Sequence, residues 1–113
     1  MSDRLEVGMP QFAVYLNKNL RSRSVFPMLA DVQAEMLGEL ETRVVIPLVK
    51  SARFTSFPLG LVMPSVEVEG EPYLLVTPQL AGVSRWDLGP HTGSVAAYSR
   101  AIATALDLVL RGF

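Results

Sequence analysis

The chain has 113 residues, the size of one domain with a single core. It carries 10 basic and 11 acidic side chains, a net charge of −1, with 50% hydrophobic and 19% charged residues. That balance excludes a strongly cationic protein that binds nucleic acid by neutralising phosphates, and it excludes an acidic disordered tail. Residues 1–8 are polar and patternless and read as a flexible extension, which leaves one domain over 9–113. Phe12, Val14 and Leu16 alternate with Ala13 and Tyr15, a weak strand period, and residues 17–24 form a loop holding Lys18, Arg21 and Arg23. Over 28–35 two periods compete. Met28, Ala30, Val32, Ala34 and Met36 alternate as in a half-buried strand, while Leu29, Val32, Met36, Leu37 and Leu40 fall at helical spacing. Residues 43–49 are rich in β-branched types, with Pro47 pointing to an edge, bend or bulge. Residues 62–68 and 72–77 flank Glu69-Gly70-Glu71 as a hairpin. Ser94 is placed to cap a final helix of roughly 17 residues. Its apolar face is Val95, Tyr98, Ile102, Ala105, Leu106 and Val109, and Arg100, Thr104, Asp107 and Arg111 lie opposite. Asp107 and Arg111 are an i,i+4 pair, and Gly112 ends the helix.

With no cysteine and one histidine, the chain offers neither a disulfide framework nor a clustered metal site, so no metal or cofactor is expected. No window approaches the length of a membrane span, and the first residues lack the apolar stretch of a signal peptide, so no membrane partner and a cytoplasmic location are expected. The phosphate-loop, dinucleotide and nucleophile-elbow motifs are absent. Ser94 beside His91 reads as a cap near a surface histidine rather than a catalytic dyad. Glu67, Glu69 and Glu71 read as the solvated face of a hairpin rather than a cation site. The Lys18, Arg21 and Arg23 cluster reads as a flexible, solvated loop rather than a phosphate contact, and Trp86 fits either an interface anchor or a core cap. No catalytic residue is expected. The final Arg111-Gly112-Phe113 sets an arginine, a glycine and an aromatic ring at a helix end, where packing of Phe113 within its own subunit competes with a partner's pocket.

In order and spacing, several short stretches together resemble the CcdB family, the toxin halves of toxin–antitoxin modules. They are Gln11-Phe12 with Val14-Tyr15, then Asp31-Val32-Gln33, Arg43-Val44-Val45-Ile46-Pro47-Leu48 and Ser51-Ala52-Arg53. Pro64, residues 75–77, Leu80-Ala81, Val83, Leu88-Gly89, Ala105-Leu106 and Gly112 continue the likeness, which spans about residues 9 to 113. The resemblance implies a mainly β SH3-like barrel: an antiparallel sheet, a smaller sheet and one C-terminal helix. It implies a homodimer and a strand over 28–35. It further implies poisoning of DNA gyrase, in which the toxin binds the gyrase A subunit and traps the enzyme on cleaved DNA, with no direct nucleic-acid binding and no bond made by the toxin. A CcdA-like antitoxin is the implied second partner, neutralising through a segment that folds on binding. Carried over position by position, the gyrase-binding residues are Met36, Leu37, Asp107, Leu110, Arg111, Gly112 and Phe113.

One departure bears on the target. The best-known member of the family ends in Trp-Gly-Ile, whereas this chain ends in Arg111-Gly112-Phe113. A buried tryptophan anchor can contribute ~2–4 kcal/mol to binding, and an arginine in its place brings a charge to desolvate. A second reading therefore stands beside the first: a CcdB-like interaction module that binds an antitoxin and acts weakly or not at all on gyrase. A third is a ribonuclease like the fold-related MazF toxins, for which Arg53 is present without an evident acid–base partner.

Overall fold

The computed structural model describes residues 9–37, 39–53 and 60–112. Its spine is strand β3 (Thr42–Lys50), whose residues from Val45 to Val49 are all buried. On one side β3 pairs antiparallel with β2 (Met28–Asp31), which pairs with β1 (Ala13–Asn17), which pairs with β7 (Leu88–Ser94). On its other side β3 has two successive partners. β6 (Ala81–Ser84) covers residues 42–45, and β5 (Glu71–Leu75), joined to β4 (Ser65–Val68), covers residues 48–50.

That change of partner accounts for Pro47, which sits in the middle of the central strand and not at an edge or a bulge. The Pro47 carbonyl accepts from Val76 N–H at 2.9 Å, so this residue's backbone polar groups face the gap between β5 and β6. A missing N–H is tolerated there because no strand partner stands opposite it.

The hairpin between β4 and β5 turns on Glu69 (φ 54°) and Gly70 (φ 79°), the paired positive φ of a type I′ turn. The sheet curls so that its two ends approach each other. A Cβ built on Gly93 of β7 would lie 2.9 Å from Val68 Cγ1 of β4, so only a glycine fits where the half-barrel draws together.

Helix α1 (Ser99–Arg111) packs its apolar stripe inside the curl, with Ile102 and Ala105 buried, as is Val95 just before it. There Val95 and Ile102 meet Val14, Ala30, Ile46, Leu48 and Leu75 in the main core. The alternate residues Ala13, Tyr15, Leu29, Val45 and Leu88 form a second cluster on the opposite face. Because β1 is buried on both faces, its alternation in sequence is weak. Asn17 is buried and Leu16 exposed, contrary to the simple period.

Two boundaries differ from expectation. Over 28–35 the strand stops at Asp31, and a short 3-10 turn spans Glu35–Leu37, so neither the longer strand nor the helix of that region forms. The final helix starts as a 3-10 turn at Ala96–Tyr98 before α1 proper begins at Ser99. Tyr98 breaks the run at φ −106°, and its hydroxyl accepts the Glu67 N–H of edge strand β4 at 3.0 Å, tying the helix start to the sheet. Among the described residues no helix is long and apolar enough to cross a membrane.

Candidate interaction site

The residues assigned by resemblance fall in two places. At the end of α1, Asp107, Leu110 and Arg111 stand on the solvent face, with Leu110 67% exposed. Arg111 Nη2 lies 3.9 Å from Asp107 Oδ1, both side chains being more than half exposed, so this pair contributes little to stability. Gly112 takes the left-handed conformation (φ 83°) and its N–H returns to the Leu108 carbonyl at 3.0 Å, which closes the helix. Phe113 lies outside the described residues.

Met36 and Leu37 sit on the turn between β2 and β3, with Met36 88% exposed. The two groups of site residues thus stand on different elements, the end of α1 and the turn between β2 and β3.

Beneath the Met36 turn lies a polar network that the sequence alone does not reveal. Arg43 and Asp31 are fully buried, with Arg43 Nε and Nη2 both 2.7 Å from Asp31 Oδ2. Arg43 Nη1 donates to the Leu37 carbonyl at 3.0 Å and Nη2 to the Met9 carbonyl at 3.4 Å. Asp31 Oδ1 accepts Gln33 N–H at 3.0 Å. Gln33 Oε1 accepts Val44 N–H at 2.9 Å, and its Nε2 donates to the Leu37 carbonyl at 2.8 Å. The available signal was a charged residue at an inward position in each of two neighbouring strands, which requires a partner in the fold. Tyr15 lies close enough for burial, and secondarily the Asp31 carboxylate, to hold its phenol above the usual value.

The other residues singled out in sequence play structural parts. Ser94 Oγ accepts Ala96 N–H at 3.1 Å, and the His91 ring packs on Tyr15 with centroids 5.6 Å apart, so the two do not form a dyad. Glu67, Glu69 and Glu71 are exposed, and Glu71 accepts the Tyr73 hydroxyl at 3.4 Å. The loop bearing Lys18, Arg21 and Arg23 is wound into turns around Asn17, whose Nδ2 donates to Ser22 Oγ and to the Phe26 carbonyl. Lys18 Nζ donates to the Trp86 carbonyl at 3.2 Å. Trp86 is 69% exposed with the Arg85 guanidinium 5.6 Å from its ring, so it does not cap the core.

Arg53 donates to the Ser24 carbonyl at 3.2 Å and stands at the rim of an open cleft of about 670 Å3, lined by Val25, Phe26, Val49, Val76 and Gln79. Among the described residues that line it there is no carboxylate or imidazole to exchange a proton with a substrate.

Two solved structures share this architecture. One is the Mycobacterium tuberculosis toxin MazF-mt6, with a TM-score of 0.67 and 14% identity, covering 86% of this chain and 94% of that one. The other, described as an Mtb toxin, aligns with a TM-score of 0.64 and 16% identity over 87% of this chain and 99% of its own. At such identities the likeness shows the class of fold alone, a curled antiparallel sheet with one C-terminal helix. No curated protein matches the sequence. The profile of the CcdB protein family matches residues 11–112, and the chain belongs to that family, the toxins of toxin–antitoxin modules.

Proposed function

We propose that this toxin acts on DNA gyrase, binding the gyrase A subunit and holding the enzyme in its DNA-cleaved state. Its docking surface comprises the end of α1 (Asp107, Leu110, Arg111, Gly112 and Phe113) and the Met36–Leu37 turn. The observation that carries this reading is the exposure of large apolar side chains at positions the family resemblance marks, 88% for Met36 and 67% for Leu110. Side chains of that size left in water are suited to a partner's surface. The toxin makes and breaks no bond; it shifts gyrase toward one conformation, and its effect is limited by its differential affinity for that state. A cognate CcdA-like antitoxin is the second partner, and the two copies of a cytoplasmic homodimer present the surface together.

Arg111 supports a second reading, an antitoxin-binding module with weak gyrase activity, because a charged side chain stands where an aromatic anchor gives affinity. One experiment separates the two. Plasmid DNA, ATP, purified gyrase and the toxin are incubated and then denatured. Linear DNA is the expected product and marks a trapped complex. In the same assay Arg111→Trp should lower the toxin concentration needed, by roughly 10-fold or more. A folded toxin that yields no linear DNA unless it carries Arg111→Trp would establish the second reading.

A further inference from the structure

The Glu35–Leu37 turn has no side chain in the core. Ala34, Glu35, Met36 and Leu37 are all exposed, so packing does not hold it. A short exposed segment of this kind ordinarily samples several conformations, and ordering it has an entropic cost. Beside the turn's own bond from Leu37 N–H to the Ala34 carbonyl at 2.9 Å, the Leu37 carbonyl ties it to the residues beneath. The Leu37 carbonyl accepts from Gln33 Nε2 at 2.8 Å, from Arg43 Nη1 at 3.0 Å and from Leu40 N–H at 3.2 Å. Both side-chain donors are themselves anchored. Gln33 is held by Val44 N–H through Oε1, and Arg43 is held by Asp31 through Nε and Nη2.

From this geometry we infer that Gln33 and Arg43 are positioning residues for partner recognition. They are buried and touch no partner, and they set the turn so that Met36 and Leu37 are presented in one arrangement. This rests on the reading of that turn as part of the docking surface. A pre-ordered apolar tip binds without the cost of ordering itself, so loosening the latch weakens binding even where every contact residue is retained. Gln33 is the cleaner of the two to test, since it carries no charge and its loss leaves the Asp31–Arg43 pair in place.

The experiment is a double-mutant cycle on affinity for the purified gyrase A subunit, with thermal midpoints recorded for every variant. Met36→Ser with Leu37→Ser should weaken binding by ~10-fold or more. Gln33→Met should weaken it by roughly 5-fold in the parent and by less than about 2-fold in the Met36→Ser, Leu37→Ser background, because there is no longer a tip to position. Gln33→Glu serves if Gln33→Met does not fold: it keeps an acceptor for Val44 N–H and turns a carboxylate oxygen toward the Leu37 carbonyl. Equal losses in both backgrounds, following the fall in thermal midpoint, would overturn the inference in favour of a general structural role. No loss from either Gln33 variant while Met36→Ser with Leu37→Ser weakens binding would overturn it and leave the docking surface standing. No loss from Met36→Ser with Leu37→Ser would remove the turn from the docking surface and the inference with it.

Discussion

Asp31 and Arg43 take two charges out of water, a step that costs several kcal/mol per ion unless each is fully paired. In this chain they are: Arg43 spends its donors on Asp31, Leu37 and Met9, and Asp31 accepts from Arg43 and Gln33. Removing one partner should therefore be far more damaging than removing both. Asp31→Leu should lower unfolding free energy by ~3–5 kcal/mol in urea titrations, and adding Arg43→Met should recover part of that loss. Additive losses would mean that the charges are not coupled. Neighbouring Tyr15 gives the same region a pH dependence. Burial, reinforced by Asp31, raises its pKa above the usual value of about 10. Below that pH the phenol is neutral in both states and its contribution is intact. As pH rises past it the unfolded chain releases the proton while the folded chain retains it, so stability falls. Tyr73, raised by burial and by Glu71, adds to the trend. Denaturation midpoints should be level from about pH 7 to 9 and decline above about pH 10, less steeply in Tyr15→Phe.

Among the elements, closure of the curl depends on the contact between β7 and the β4–β5 hairpin. Gly93→Val would place its Cβ, and then its methyl groups, where Val68 Cγ1 already lies at 2.9 Å. Overpacking of this kind costs roughly 1–3 kcal/mol, and the strand must move to relieve it. Thermal melts should show that loss, and Gly93→Val with Val68→Ala should return most of it. The hairpin and the last helix were legible in sequence because each carries a local signal, a glycine turn between strands and a 3.6-residue period ended by Gly112. The rest depended on tertiary neighbours. Nothing local tells that β3 changes partner at Pro47, or that β1 is buried on both faces. The strand at 28–35 was shortened because Asp31 turns inward to Arg43 and Gln33 bends back to Val44, contacts whose donors lie more than ten residues away. For the candidate site, Met36, Leu37 and the end of α1 came from the family resemblance; Asp31, Gln33 and Arg43 stood in the stretches that carry that resemblance, but their joining beneath the turn came only from the structure.

At the scale of the whole molecule, half the residues are hydrophobic and mean hydropathy is +0.32, more than one small core absorbs. Leucines 20, 61 and 110, with Met36 and Trp86, are each more than two-thirds exposed in the single chain. The two groups of docking residues also stand on different elements, the end of α1 and the β2–β3 turn. The homodimer proposed above would account for both features: a second copy would cover apolar surface and double the set of docking groups presented to one target. Light scattering at micromolar concentration should therefore give a mass near twice the 12.4 kDa of the chain. The thermal midpoint should also rise with protein concentration, since association draws the folded state forward by mass action. A mass near 12.4 kDa with a midpoint independent of concentration would contradict the dimer. In that case one chain would have to engage gyrase with two docking groups on different parts of its own surface.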